Sequence, residues 1–185
     1  MDYKKTYEEL NKIQIKKWNR SLPFQDTIDD RWERAKLLGF GKNASIYNSC
    51  HVFGKVEVGE NTWIGPNVIL DGLAEKLKIG DFCSISSGVQ IYTHNSVNWA
   101  LSGGKCSYEN DKVLIGSRNY IGSLSVILPG TIIGTCCIIA ANSVVKSKVE
   151  DYSIFAGTPA KKIGFITFEK EKPKLNFLKN TNQNK

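Results

Sequence analysis

Apolar residues return at every sixth position along most of the chain. Ile46, Val52, Val58, Ile64 and Leu70 form a first run, a phase shift falls at Gly72–Lys78, and Ile79, Ile85 and Ile91 form a second. After residues 92–114 the rhythm resumes in phase at Ile115, Ile121, Ile127, Ile133, Ile139 and Val145. An amphipathic helix repeats every 3.6 residues and a half-buried strand every two, so neither accounts for this spacing. A period of six predicts short strands wound into a coil, each anchor pointing inward. Each turn pairs only with its neighbours, so several must stack before the core is continuous. The position after the anchor is often glycine (59, 65, 80, 116, 122, 134), where a turn with positive φ is expected. The fifth position is small or β-branched, as suits a crowded interior: Cys50, Val56, Thr62, Val68, Ala74, Cys83, Val89, Ser125, Thr131, Cys137, Ser143 and Val149.

The flanks follow another rule. Tyr3, Tyr7, Leu10 and Ile13 lie at helical spacing within residues 2–18, and Ile28, Trp32, Ala35 and Leu38 do so within 28–38. Thr27 is the expected cap of the second helix, with Asp30 in its first turn and Gly39 as its stop. Ser21-Leu22-Pro23 separates the two. The organisation expected is an N-terminal helical cap (1–40) over the open end of the stack, a coiled β body (41–164) with a protruding loop at about 92–114, and a C-terminal segment (165–185). In that segment Phe165, Ile166 and Phe168 form a last strand, and residues 170–185 are expected to be mobile.

Composition narrows the classes. A chain of 185 residues with 41% hydrophobic and 23% charged residues fits a folded soluble protein. No apolar run reaches 18 residues, so no transmembrane segment is expected. The opening MDYKKTYEELNKIQ is too charged for a secretory signal, which points to the cytoplasm. Seven lysines against two glutamates in 161–185 supply five of the seven net positive charges. No nucleic-acid-binding motif accompanies that basic tail, so nucleic acid is not an expected partner. Five cysteines occur without CxxC pairs, which reads as free thiols, three of them small core fillers at fifth positions. Two histidines are too few for a three-histidine zinc site, and no metal is expected.

The six-residue anchors, the interrupting loop with YTHN (92–95) and the closing AGTPAKKI (156–163) together resemble the hexapeptide-repeat acyltransferases, over about residues 41–164. The resemblance implies a mainly β fold, a left-handed parallel β-helix, assembled as a homotrimer. It implies acetyl-CoA as donor and an active site between neighbouring subunits. GFGKNASIYNSCHVFGKVEVGENTWIGPNVILDG and the loop WALSGGKCSYEN are most similar to small acetyltransferases of surface-polysaccharide clusters. The perosamine N-acetyltransferases of O-antigen pathways are one such type, acting on the amino group of a nucleotide-linked amino sugar; others acetylate sugar hydroxyls. An antibiotic O-acetyltransferase shares the repeats and a loop histidine. A non-catalytic β-helix used for assembly is the reading from a different class.

The resemblance also distributes roles. His94, where regular coils give way to the loop, matches the family's catalytic histidine and is the expected general base; a neutral imidazole can accept a proton at physiological pH. His51 precedes anchor Val52 and reads as an ordinary outward histidine. Asp71 in NVILDG either contacts the sugar, orients the histidine or simply makes the turn before Gly72. Asn95, Trp99, Tyr108 and Glu109 are expected on the acceptor side, although Trp99 would equally serve as the loop's own apolar anchor. For the donor, Ser123 and Ala141 correspond to positions that contact the pantetheine arm. Lys161, with Lys162 as helper, would approach coenzyme A phosphates or else merely solubilise the end of the coil. Ala140-Ala141-Asn142 stands where many relatives have Gly-Ala-Gly.

Overall fold

The computed structural model describes residues 2–178 and forms a parallel β-helix of stacked, three-sided coils. The first side stacks Ile46, Ile64, Ile85, Ile121, Ile139 and Phe155 in register. The second stacks Val52, Leu70, Ile91, Ile127 and Val145. The third stacks Val58, Ile79, Ile115 and Ile133, and a bridge joins Ile133 to Val149. Val149 is therefore an anchor of the third side and not a corner residue. Nearly all of these side chains are buried and form one core. Burying each Ile or Leu contributes roughly 1.5–3 kcal/mol, which makes the column the main source of cohesion.

Two details of the repeat have different causes from those expected. The glycines after the anchors do not carry the positive φ. That conformation falls two residues later, at Asn61, Asn67, Phe82, Arg118, Leu124, Cys136 and Asn142. The glycines answer a distance constraint instead: a Cβ at Gly116 would sit 2.6 Å from the carbonyl oxygen of Gly134, and one at Gly80 would sit 2.7 Å from the Gly116 carbonyl carbon. The small fifth residues do more than fill space. Thr62 Oγ1 donates to Gly80 O (2.8 Å), Ser125 Oγ to Ala140 O (2.9 Å) and Cys50 Sγ to Gly65 O (2.9 Å). Buried Asn119 donates to Gly134 O (2.7 Å) and accepts from Cys137 N (2.6 Å). Carbonyls that the corners would leave unpaired in the interior are thereby satisfied. Burial pushes the Cys50 thiol up to about 11 and raises Cys83 and Cys137, so these thiols pack as neutral groups.

The phase shift at 72–78 is an outward ridge. Strands His51–Val58 and Ile69–Ile79 run around the corner between the second and third sides, and their pairing shifts register between Gly54 and Val56 to accommodate the extra residues. Gly54, at φ +67°, lies against the backbone of Gly72. Ala74 is exposed on this ridge, contrary to the inward place its repeat position predicts, and buried Leu77 fills the interior.

Helix α1 spans Tyr3–Trp18, α2 Gln25–Ile28 and α3 Arg31–Leu37. Asp30 caps α3, its carboxylate accepting from Trp32 N at 2.9 Å. Thr27 lies inside α2 and donates to Phe24 O, so it is not the cap. Helix α3 covers the open end of the coil: Ala35 and Phe40 join the core, and the Arg34 guanidinium donates to the carbonyls of Tyr47 and Cys50. Among the described residues α1 buries none of its own. It packs on α2, with Tyr3 and Tyr7 edge-on to Phe24. At the other end, strand Ala160–Glu169 turns back along Ser153–Gly157 and pairs with Lys172–Phe177. The expected mobility of 170–185 therefore does not hold for 172–177, where Lys172, Lys174 and their neighbours find strand partners across a hairpin. Residues 179–185, with Lys179 and Lys185, lie outside the described residues.

Gly116→Ala is expected to lower stability by about 1–3 kcal/mol, because the added methyl meets backbone that the stack holds in place. A fall in thermal or urea midpoint measures this; an unchanged midpoint would mean that coil spacing tolerates a Cβ.

Candidate active site

The loop expected at 92–114 is anchored inside those bounds. Gln90–Tyr92 and Val113–Ile115 still belong to the coil. The excursion between them opens with His94–Asn95 and closes with Glu109–Asn110, which pair antiparallel. Helix α4, Val97–Leu101, sits on that ribbon. The loop's polar residues brace it: Asn95 Nδ2 donates to Glu109 Oε2 (2.9 Å), Asn98 Nδ2 to Glu109 Oε1 (2.7 Å), and Asn95 Oδ1 accepts from Val97 N. The Asn95 amide foremost, then Asn98 and the charge of Lys146, hold the Glu109 carboxyl below the usual carboxylate range. Trp99 packs edge-on to Tyr108 at 5.7 Å between ring centroids, and Tyr108 lies offset-parallel to His94 at 6.2 Å and 7°.

His94 stands at the root of this loop, on the corner between the second and third sides. Its Nδ1 lies 3.1 Å from Asp71 Oδ2, close in distance yet off the line of a formed hydrogen bond. The His94 side chain is 29% exposed and that of Asp71 6%. Asp71 Oδ1 accepts from Leu73 N (3.0 Å). One carboxylate thus makes the turn through one oxygen and faces the imidazole with the other. The repeat holds the pair in place: Asp71 is in register with Phe53 on one side and Tyr92 on the other. Tyr92, whose phenol is pushed up by burial and then by the charge of Asp71, donates to Gln90 Oε1 at 2.8 Å. Tyr92 opens the YTHN motif but carries no role from it, and Gln90 lies outside it. Stacking the six-residue repeat in register would have found them, because they flank the anchor next to Leu70.

Other expected residues fall elsewhere. Ser123 and Ala141 follow anchors Ile121 and Ile139, on the corner between the first and second sides, and Ser123 O accepts from Asn142 N. Lys161 and Lys162 lie on strand Ala160–Glu169, opposite Ala156 and Phe155. Lys162 Nζ is engaged by Glu150 at 2.7 Å. Within one chain, then, His94, Asp71, Asn95, Trp99, Tyr108 and Glu109 come together, and Ser123, Ala141, Lys161 and Lys162 belong to other edges of the prism. Beside the loop, a cavity of about 350 Å³ is lined by residues including Val97, Asp111, Leu128, Pro129 and Lys146; the last three follow coil anchors and carry no motif signal. Among the described residues no group of three or more His, Cys, Asp and Glu is placed to hold a metal ion, and no helix is long and apolar enough to cross a membrane.

Residues 112–147 match the family described as "Bacterial transferase hexapeptide (six repeats)". The chain is 34% identical over 168 residues to the dTDP-4-amino-4,6-dideoxy-D-glucose acyltransferase of Escherichia coli, covering 83% of this chain and 86% of that protein. It is 36% identical over 137 residues to the putative lipopolysaccharide biosynthesis O-acetyl transferase WbbJ of Escherichia coli K12, covering 67% and 69%. A hexapeptide-repeat acetyltransferase from Vibrio cholerae, solved with acetyl coenzyme A, superposes with a TM-score of 0.64 at 25% identity over 87% of this chain and 85% of that one. The protein belongs to the hexapeptide-repeat acyltransferases, built on a left-handed parallel β-helix. It is an acyltransferase, which removes the reading as a non-catalytic assembly module.

The Glu109 brace has a sign in pH. Its carboxyl is depressed below the ordinary value of 4.5, so the brace is present above that pH and weakens as pH falls through the folded-state value. Limited proteolysis within residues 96–108 is expected to quicken in that acid range, and to be quick at neutral pH in Glu109→Ala. Equal cleavage rates for Glu109→Ala and wild type would refute the brace.

Proposed function

We propose that the protein transfers the acetyl group of acetyl-CoA to the amino group of a nucleotide-linked amino sugar in surface-polysaccharide biosynthesis, with His94 as general base. The observation that carries this reading is the pairing of a partly exposed imidazole with a nearly buried carboxylate at the root of a loop on a rigid coil. With Asp71 beside Nδ1, the tautomer protonated there is favoured, and the Nε2 lone pair remains for the acceptor. The 3.1 Å separation is already within hydrogen-bond reach once the ring turns to align it.

The reaction follows from these groups. The acceptor amine arrives unprotonated and attacks the thioester carbonyl carbon, forming the C–N bond while the carbonyl π electrons move to oxygen. His94 Nε2 takes the proton that the nitrogen sheds. The intermediate collapses, the C–S bond breaks, and coenzyme A leaves as thiolate, which needs little protonation because thiols are comparatively acidic. Asp71 steadies the imidazolium formed in between; a carboxylate beside a transient cation offsets its cost in a partly dry site. Asn95 and Glu109 act by holding the loop, and Tyr108, backed by Trp99, walls the imidazole.

On the donor side, Ser123 and Ala141 line the pantetheine path, and Lys161 meets coenzyme A phosphates. Lys162, already paired with Glu150, helps less directly. Because Ser123 and Ala141 occupy a different corner from His94, a complete site draws His94 from one chain and the donor residues from the next. A homotrimer meets that need, and its location is the cytoplasm, where acyl-CoA and nucleotide sugars occur. A sugar hydroxyl is the second acceptor reading, favoured by the likeness to WbbJ; a hydroxyl depends even more on removal of its proton.

Coenzyme A release against a panel of nucleotide-linked amino sugars and their hydroxyl counterparts tests the acceptor, and turnover with none of them would sink the reading. On the accepted substrate, His94→Ala is expected to lose about 10²–10⁴-fold in kcat. Asp71→Asn is expected to lose less, whereas near-normal turnover of His94→Ala rules out the base. Lys161→Ala is expected to raise the KM for acetyl-CoA with the acceptor KM unchanged, and light scattering of the active species should show three chains; an active monomer contradicts the shared site.

A further inference from the structure

One rung from Asp71, on the side away from the loop, the second side carries two aromatic rings that the mechanism leaves unused. Phe53 is the in-register partner of Asp71 and is 41% exposed. The His51 ring stacks on it, with centroids 5.9 Å apart and planes 24° from parallel. Parallel pairing of His51, Val52 and Phe53 with Ile69, Leu70 and Asp71 fixes both residues on the wall. Neither is needed by the core, which at this rung is filled by Val52 and Leu70. An exposed phenyl ring backed by imidazole, beside a buried carboxylate and a base, is an apolar surface with a polar edge. The C–H face of a pyranose presents the same chemistry to a binding site.

Distance decides which part of the acceptor it meets. Neighbouring strands lie about 4.8 Å apart, so the Phe53 backbone is one strand spacing from that of Asp71. The pyranose ring is bonded directly to the reacting nitrogen or oxygen. A nucleobase is separated from it by the pyranose, two phosphates and a ribose. Of the parts of the acceptor, the sugar ring and not the base is therefore the one within reach of a residue one strand spacing from Asp71.

We propose that Phe53, backed by His51, is a specificity-determining residue of this enzyme: the platform on which the apolar face of the acceptor pyranose stacks while its nucleophile addresses His94. The proposal rests on the sugar-acetyltransferase reading above. Phe53 governs acceptor binding more than chemistry and leaves the donor untouched.

Steady-state kinetics with donor and acceptor varied separately test it on full-length wild type, Phe53→Ala, Phe53→Tyr and His51→Ala. Phe53→Ala is expected to raise the acceptor KM about tenfold, with the acetyl-CoA KM and the thermal midpoint unchanged and kcat nearly so. Phe53→Tyr, which keeps the ring, is expected to retain wild-type KM, and His51→Ala to show a smaller rise. An active wild type together with an unchanged acceptor KM in Phe53→Ala overturns the platform alone. An equal rise in both KM values, or no rescue by Phe53→Tyr, overturns it as well. A wild type that acetylates no sugar in the panel overturns the functional reading, and the platform falls with it, an outcome seen before any variant is compared.

Discussion

Neighbouring coils must approach to the spacing of parallel strands at every turn, about 4.8 Å, including the corners where no ladder of strands holds them apart. That one constraint explains most of the sequence. Glycine follows six of the anchors, on the first and third sides, because a Cβ there would overlap the next coil's backbone. Thr, Ser, Cys and Asn fill the inner corners because each is small and can donate to a carbonyl that would otherwise be buried unpaired. Ile, Val and Leu fill the column because β-branched and γ-branched chains stack in register on a pleated wall. Positive φ then falls two residues after the glycine position, on side chains as large as Phe82 and Leu124, since the corner geometry is imposed by the stack and not by local preference.

A wall built this way is stiff, and stiffness is what the candidate site uses. Asp71 is positioned on both flanks by register with Phe53 and Tyr92, and its own turn fixes one carboxylate oxygen. The loop adds His94 above it and is itself cross-braced by Asn95, Asn98 and Glu109. The His94 imidazole, the Asp71 carboxylate and the exposed rings of Phe53 and His51 therefore lie along neighbouring coils of one wall. The repeat that makes the fold also sets the spacing of these groups.

The separation of the loop from Ser123 and Ala141 onto different corners has the same origin. Three-sided coils place each residue class on an edge set by its distance from the anchor, so a histidine after the second side and a serine after the first cannot converge within one prism. The corner bearing Ala141 and Leu124 is itself exposed.

Sequence alone was enough for the coil, because a six-residue period of Ile, Val and Leu has no other regular structure to satisfy, and enough to set His94 apart at the start of the loop that interrupts the period and Asp71 apart at the end of the NVILDG motif. It was not enough for the reason behind the glycines, the true cap at Asp30, the outward ridge that takes Ala74 out of the interior, or the hairpin partner of 172–177. Each of these depends on what lies one coil away or across a turn, some 18 residues distant along the chain in the regular coils. Likewise only the tertiary structure decided that Asp71 faces His94 and that Phe53 stands beside them: a side chain's neighbours in a stacked coil are its register partners, and register is settled by packing of the whole column, not by local sequence.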